Sequence, residues 1–259
     1  MNSPFVAEQA VLLAGRREVD AEREAEARVR AMYRIAYQLD PSGAELELGL
    51  SLAAAGTSGA EMRTGDGPWR YGSGSLDAMS GRVKGFKVFR YFEGGRWQPA
   101  SLRPQPQFGE LSLSAQGGAP GGRPDLMAVR RWQAPRSGRA TVTGKFKHSI
   151  NEERQWSDGV RVWIVHSSLG VAAEGMARDE DFELHAENLD VRAGDTIDFV
   201  VGPREDAESD DFEWAPEMRM GSNVWTATAG FRGPDPKNLD HWARLAQVLL
   251  ASHEFAFVD

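Results

Sequence analysis

The chain has 259 residues, of which 41% are hydrophobic, so it can bury a core in one large domain or two ordinary ones. Its formal net charge of −8 argues against nucleic acid or an anionic membrane surface as a partner. It contains no cysteine, which excludes disulfides, thiolate metal sites and covalently attached haem within the chain.

Residues 1–66 are predicted to form three helices. Apolar residues recur at three- and four-residue steps in "PFVAEQAVLLAG" and again in "DAEREAEARVRAMYRIAYQL". A third helix is predicted after "DPSG", where Ser42 and Glu45 have the spacing of a capping box. The N-terminus lacks a basic region followed by an apolar stretch, so no signal peptide is predicted. Since every apolar run is far shorter than a bilayer requires, we expect no membrane span.

Residues 67–224 are predicted to form a β-sandwich, because the apolar period changes from 3.6 to 2 after the linker "RTGDGP". The segments "RATVTGKFKH", "GVRVWIVHS" and "DTIDFVV" alternate apolar and polar residues. Clusters of Gly, Pro, Asn and Asp separate them, and no helical pattern intervenes. Many short strands of this kind are typical of jelly rolls and barrels. The segment "GSGSLD" is predicted to be a flexible turn.

Residues 225–259 are predicted to contain one further helix that begins after Asp240. This helix is too short to be stable alone, so we expect it to pack on the N-terminal helices and complete the helical part. The predicted fold is therefore α+β and multi-domain, with a jelly-roll-like antiparallel β-sandwich inserted into a small helical domain.

Several segments resemble a known family. "MNSPFVAEQA", "VRAMYRIAYQLDPSGAE" and the closing "WARLAQVLLASHEFAFVD" are similar to helical stretches of the planctomycete cytochrome-associated domain of unknown function. "AVRRWQAPRSGRATVTGKFKH", "SDGVRVWIVHSS", "VRAGDTIDFVVGP" and "SDDFEWAP" resemble the β-sandwich inserted in its longer members. The resemblance covers nearly the whole chain and identifies it with the C-terminal part of the long form.

This resemblance implies an exported protein of the cell envelope whose upstream domains commonly include a c-type haem module. Met1 would fall inside the family domain, so we expect the chain to be a C-terminal piece that works with upstream domains of a parent protein. The family implies no catalytic residue, and we expect no cofactor in this chain. A helical part that lacks some of its native core should expose apolar surface around Phe5, Val6 and Leu12.

The tryptophans of the β-region are the first candidate site. Proteins that bind sugars often stack the rings on exposed aromatic side chains. Trp97 lies in the loop-like "EGGRWQPA", Trp163 lies on the strand face opposite Val160 and Val162, and Trp214 follows an acidic run. These three tryptophans, Trp97, Trp163 and Trp214, are therefore candidate carbohydrate-binding residues, although filling the core is the commoner role of a tryptophan.

The acidic run "EDAESDDFEWAP" is the second candidate site. Asp210, Asp211 and Glu213 could form a rim that meets a cation or a sugar hydroxyl, with a structural calcium ion as the cation to expect. The segment also fits a charged turn between two strands, with Phe212 or Trp214 anchoring the next strand in the core. The histidines form no metal-like pair and are expected to be isolated surface or partly buried residues.

No catalytic motif accompanies these candidates: the chain has no GxSxG elbow, no phosphate-binding loop and no His-rich metal motif. The leading hypothesis is a non-catalytic binding module of a cell-envelope protein, with a polysaccharide or another envelope component as its partner. One alternative is the accessory C-terminal part of a haem-containing redox or hydrolytic enzyme whose chemistry lies upstream. Another is a purely structural sandwich without a ligand.

Overall fold

The computed structural model describes residues 4–54, 67–148, 157–234 and 239–252, which belong to two compact units. The predicted α+β class, with an antiparallel β-sandwich and a few helices, is confirmed. The helical unit combines Met1–Arg63, Arg90–Phe92 and Gly233–Asp259. The β-unit combines Thr64–Phe89 and Glu93–Arg232.

The helical unit differs from the prediction in the middle of its N-terminal part. Where one helix was expected over residues 20–39, a short helix ends at Asp20 and the next begins at Ala25, because the four residues between them are all exposed and offer nothing to bury. The helices are α1 (Pro4–Ala14), α2 (Arg17–Asp20), α3 (Ala25–Tyr37), α4 (Gly43–Ala54) and α5 (His241–Ala251).

The capping box of Ser42 and Glu45 is confirmed, and α5 begins after Asp240 as predicted. The backbone N–H of Ser42 donates to Oε2 of Glu45 at 2.7 Å, and the Glu45 N–H donates to the Ser42 hydroxyl at 3.4 Å. At the start of α5, Oδ1 of Asp240 accepts the Ala243 N–H at 2.8 Å.

The helical core joins α5 to the N-terminal helices, as predicted. Leu245 and Leu249 of α5 are buried in one cluster with Ala10 of α1 and Val29 of α3. Of the three residues expected to expose apolar surface, Phe5 is 66% exposed, whereas Val6 and Leu12 are half-buried. The exposed apolar surface on α1 is thus limited to its first turn.

The β-unit is built from short strands. They are β1 (Trp69–Leu76), β2 (Val83–Val88), β3 (Tyr91–Glu93), β4 (Arg96–Gln98), β5 (Ser112–Ser114), β6 (Gly117–Ala119), β7 (Met127–Gln133), β8 (Gly138–Thr143), β9 (Lys145–His148), β10 (Val160–His166), β11 (Gly170–Ala177), β12 (Glu180–Glu183), β13 (Ala186–Val191), β14 (Thr196–Pro203), β15 (Phe212–Trp214), β16 (Glu217–Met220) and β17 (Asn223–Thr226).

These strands form three sheets. The six-stranded sheet has the order β11-β10-β14-β7-β1-β2, the seven-stranded sheet β12-β9-β15-β6-β5-β4-β3, and the four-stranded sheet β13-β8-β16-β17. Phe199 of the six-stranded sheet meets Trp214 of the seven-stranded sheet edge to face, with ring centroids 5.3 Å apart. Trp132 meets Trp225 of the four-stranded sheet at 5.5 Å. The inner face of the six-stranded sheet therefore packs against both other sheets.

Gly144 marks the point where one predicted strand changes sheets. The segment "RATVTGKFKH" was expected to be a single strand, but β8 joins the four-stranded sheet and β9 the seven-stranded sheet. A Cβ atom at Gly144 would lie 2.8 Å from Nε1 of Trp214, so only glycine allows this corner to pack on the core indole.

The predicted flexible turn "GSGSLD" is wrong, because its residues form most of β1, a central strand between β7 and β2. The glycine requirement comes from close packing: a Cβ atom at Gly72 would lie 2.2 Å from the carbonyl oxygen of Lys87 in β2.

No helix among the described residues is long and apolar enough to cross a membrane.

Candidate functional site

The three candidate tryptophans are core residues. Trp97 is 0% exposed and its Nε1–H donates to the Arg232 carbonyl at 2.8 Å, and Trp214 is 1% exposed. Trp163, 7% exposed, packs with Val165 and Val200 on the outer face of the six-stranded sheet. Since no ring presents a face to solvent, we replace the predicted stacking role by a packing role.

The acidic run divides between the two faces of β15. Asp210 is buried, while Asp211 and Glu213 are exposed, because alternate residues of a strand point to opposite faces. Phe212 and Trp214 anchor the strand in the core, as predicted. Asp211 and Glu213 therefore remain candidate ligand-binding residues, and Asp210 does not reach the same surface.

An open groove of about 820 Å³ lies on the outer face of the seven-stranded sheet. Three cationic side chains and two acidic ones line it: Arg96, Lys145, Lys147, Asp211 and Glu213. Its floor includes Ser114, Gln116 and Gly117. The sequence interpretation missed the cationic residues, although Lys145 and Lys147 alternate with the buried Phe146 and His148 and so had to face outward.

The strand register places these side chains in one row across the sheet. Glu213 lies opposite Lys147 on one side and opposite Gly117 on the other. The Gly117 N–H donates to the Ser114 hydroxyl at 3.1 Å, and Ser114 lies opposite Arg96. From Glu213 to Arg96 the row spans three strand spacings, about 14 Å. Long charged side chains lie at the two ends of this row. The residues between them, Gly117 and Ser114, are small, so the row forms a furrow.

The row carries no side chain at Gly117 because the neighbouring strand β15 lies too close to it. A Cβ atom at Gly117 would lie 1.8 Å from the Phe212 carbonyl oxygen, and one at Gly118 would lie 2.3 Å from that of Ser112. Such distances are far below van der Waals contact, so these two positions require glycine. Because β15 lies so close to Gly117, this position has no side chain, and the furrow stays open above Gly117.

Arg130 supports this floor from inside the sandwich. It belongs to β7 of the opposite sheet, is 1% exposed, and donates hydrogen bonds to the carbonyl oxygens of Ser114 (2.7 Å), Ala115 (3.2 Å) and Gly117 (2.7 Å). Burial lowers the pKa of its guanidinium to about 10, so Arg130 remains a cation at neutral pH. Among the described residues, it has no carboxylate partner.

The charges around the groove are unevenly paired. Lys147 approaches Glu213 at 3.5 Å, and Lys145 forms an ion pair with Asp181 of β12. Arg96 makes no ion pair with any residue that the structure describes, and its Nη1 is shielded from solvent without a hydrogen-bond partner there. The β9–β15 side is thus nearly neutral, while the Arg96 side is positive.

A buried polar cluster lies beneath the same sheet and was not predicted. The Ser157 hydroxyl donates to Oδ1 of Asp210 at 2.6 Å and lies 3.2 Å from Nε2 of His148. The Nδ1 atom of His148 accepts the Asp179 N–H at 3.1 Å. His148 and His166 are both buried, which corrects the expectation of isolated surface or partly buried histidines.

This cluster has the residue types of a hydrolase triad in the wrong arrangement. A serine nucleophile must give its proton to histidine, but Ser157 donates to the carboxylate instead. The three residues are buried, so no substrate reaches the hydroxyl. We therefore interpret the cluster as structural: its hydrogen bonds connect the end of β9 at His148 to Ser157 and Asp210. Elsewhere in the described residues, no group of three or more His, Cys, Asp or Glu side chains is placed to hold a metal ion.

No family model and no curated protein matches the chain. Among solved structures, a PA14 sugar-binding domain from an RTX adhesin is 9% identical, with a TM-score of 0.24 over 41% of this chain and 55% of that one. The CBM51-2 and INT domains of Clostridium perfringens ZmpB, in complex with GlcNAc, give 13% identity and a TM-score of 0.29 over 62% and 30%.

The A domain of epithelial adhesin 6 from Candida glabrata, in complex with Galb1-3GlcNAc, gives 9% identity and a TM-score of 0.27 over 69% of this chain and 92% of that one. The chain thus spans about half of the RTX adhesin domain and less than a third of the Clostridium protein. All three likenesses are distant.

Proposed function

We propose that the β-unit is a non-catalytic module that binds a polysaccharide in the groove of the seven-stranded sheet. The observation that carries this proposal is the furrow itself. Between Glu213 and Arg96 the row carries only the small residues Gly117 and Ser114, and hydrogen-bonding groups lie at both ends. An extended polymer can lie along this row because the groove is open to solvent.

The side chains match the chemistry of a sugar. Each hydroxyl of a sugar is both a donor and an acceptor, so a complementary surface needs both kinds of group. Lys147 and Gln116 can donate, Glu213 and Asp211 can accept, and Ser114 can do either. This recognition relies on hydrogen bonds and charge rather than on aromatic stacking, in agreement with the burial of the three tryptophans.

The acids of the groove fit binding better than hydrolysis. A glycosidase needs two carboxyls that flank the scissile bond from opposite sides. Asp211 and Glu213 lie two residues apart on the same exposed face of the sheet, so both approach a bound polymer from one side. We therefore assign them to hydrogen bonding with sugar hydroxyls.

Affinity electrophoresis of the whole chain in gels that contain single polysaccharides tests the proposal. We expect at least one polymer to retard the protein, and the double variant Lys147→Ala/Glu213→Ala to weaken that retardation at least tenfold. Arg161→Gln is a suitable control because Arg161 is exposed on the other large sheet. If a broad panel of polysaccharides leaves the mobility unchanged, the proposal is wrong and a purely structural sandwich becomes the better account.

We further propose that the protein resides in the cell envelope. The resemblance to an exported family supports this, and a polysaccharide ligand would suit it. Fractionation of the source cells, followed by detection with an antibody against the β-unit, tests the location. Recovery in the cytosol alone would contradict it.

A further inference from the structure

Two arginines without a carboxylate partner among the described residues border the groove, Arg96 at one end of the row and Arg130 beneath its middle. Arg96 flanks the furrow in β4, opposite Ser114. Arg130 lies directly beneath, since it bonds the carbonyl oxygens of Ser114 and Gly117, two residues of the floor. One cation is beside the furrow and one is under its floor.

The buried charge of Arg130 is only partly balanced. Three carbonyl oxygens accept hydrogen bonds from its Nη1 and Nη2 but carry no net charge, and its buried Nε has no hydrogen-bond partner among the described residues. The interior also screens a charge far less than water does. Its positive potential therefore extends to the floor of the furrow, where Arg96 adds to it. An anionic group bound there would interact with both guanidinium groups, and the planar fork of Arg96 suits a carboxylate.

We propose that the groove selects polysaccharides that carry carboxylate groups, with a uronate at the Arg96 end and a less charged part of the chain at the Lys147–Glu213 end. The inference rests on the proposed function and adds the class of ligand. The Lys147–Glu213 pair at the other end is nearly neutral and is suited to hydroxyl groups.

Nucleic acid fits the groove less well than a uronate polymer. The chain carries a net charge of −8, which repels a long and densely charged polyanion. The aromatic side chains of β15, Phe212 and Trp214, are buried on the core side of the sheet and cannot stack on a base. A polymer whose carboxylates are widely separated is repelled less by the negative net charge of the protein. It can still place one carboxylate beside Arg96.

A matched pair of polymers tests the inference with the whole chain. Half-esterified polygalacturonan carries free carboxylates, and its fully methyl-esterified form is the neutral counterpart. We expect the charged form to bind at least tenfold more tightly in 50 mM salt. The difference should shrink as salt is added, because the positive end of the groove is open to solvent. This salt dependence is measured on the unmodified protein and needs no variant.

Two variants with the same loss of charge locate the effect. Arg96→Gln should abolish the preference for the charged polymer, so that the charged and neutral polymers bind with the same affinity. Arg161→Gln should keep the preference, because Arg161 lies on the other large sheet. Arg96→Lys keeps the charge without the planar fork and should retain only part of the preference. Circular dichroism of each variant confirms that it is folded.

The outcomes separate the inference from the proposed function. If the neutral polymer binds as tightly as the charged one, the carboxylate inference is wrong while polysaccharide binding stands. If neither polymer nor any other glycan binds, the proposed function itself fails. Equal loss in Arg161→Gln and Arg96→Gln, or equal binding of single-stranded DNA, would show general attraction of polyanions and would overturn the inference.

Discussion

The guanidinium of Arg130 donates a 2.7 Å hydrogen bond to the carbonyl oxygen of Ser114, which lies in the opposite sheet of the sandwich. Two further bonds, to Ala115 and Gly117, complete the contact. A single buried side chain thus crosses the core and holds the connection between β5 and β6, which forms the floor of the groove.

Replacing Arg130 should loosen that floor. Arg130→Met leaves three carbonyl oxygens without their donor, although it also removes a buried charge, so we expect a net loss of about 2 kcal/mol in the free energy of unfolding. Urea denaturation measures this loss. Arg139→Met removes an exposed arginine and should change stability by less than about 0.5 kcal/mol.

Amide hydrogen exchange gives the local readout for the same variant. The Gly117 and Gly118 amides should lose protection in Arg130→Met before the amides of β10 do, because only the β5–β6 connection depends on Arg130. Protection of these glycines at the level of the unmodified protein would show that the floor does not need the arginine.

Arg131 and Asp198 form a second charged pair, on the outer face of the six-stranded sheet. Nε and Nη2 of Arg131 donate to the two Asp198 oxygens at 2.7 Å each, and the guanidinium lies 4.0 Å from the centroid of the Phe86 ring. Asp198 is buried, so Arg131→Met would leave a carboxylate without its partner. We expect a loss of about 3–5 kcal/mol near pH 7 in urea unfolding.

The pH dependence of this variant follows from the Asp198 carboxyl. Burial raises its pKa, and the Arg131 hydrogen bonds offset part of that increase, so loss of Arg131 should raise the pKa further. A folded-state pKa above the unfolded value of about 3.9 means that the folded state binds the proton more tightly. The deficit of Arg131→Met should therefore shrink as the pH falls toward 4. A deficit that stays constant would contradict this assignment.

The sequence predicted the parts of the fold that depend on local pattern. The capping box of Ser42 and Glu45 and the buried alternation of Val160, Val162 and Ile164 are visible in a few neighbouring residues, and all are confirmed. The prediction for the "GSGSLD" segment was wrong because its glycines are required by the close approach of a neighbouring strand and do not mark a turn. That contact, between Gly72 and the Lys87 carbonyl, is not encoded in local composition.

The groove was harder to predict for the same reason. Its row of side chains comes from strands far apart in the sequence, and pairing order cannot be deduced from alternation alone. One signal was present: in "MAVRRWQ", Arg130 shares the phase of Ala128 and Trp132, so a buried arginine could have been inferred. The sheet face opposite Val160 and Val162 is also apolar, because Trp163 packs there with Val165 and Val200 of the same sheet, and this made the tryptophan prediction wrong.

Gly117 should tolerate no side chain. In Gly117→Ala the new Cβ atom would lie 1.8 Å from the backbone oxygen of Phe212, and backbone in paired strands cannot move aside cheaply. We expect a loss of about 1–3 kcal/mol together with weaker polysaccharide binding, since β6 and β15 must separate. Gly122→Ala is the matched control because nothing lies within 4 Å of its Cβ position. Equal stability of the two variants would refute the close-packing argument.

Ser157 should matter for stability and not for catalysis. In Ser157→Ala, Oδ1 of Asp210 and the Gly159 N–H lose the buried hydroxyl they contact, at 2.6 and 3.0 Å, and His148 loses a neighbour. Unpaired buried groups of this kind should lower the free energy of unfolding by about 3 kcal/mol in urea denaturation.

Asp210→Asn gives the complementary test. Burial raises the pKa of the Asp210 carboxyl, which means that its ionised form is disfavoured in the fold. The amide keeps an oxygen for the Ser157 hydroxyl and removes the charge, so we expect a change of less than about 1 kcal/mol at pH 7. Asp210→Ala, which removes the acceptor of the Ser157 hydroxyl proton, should cost about 2 kcal/mol. If the asparagine and alanine variants are equally unstable, the ionised carboxylate holds this corner of the sandwich together and the hydrogen bond alone does not.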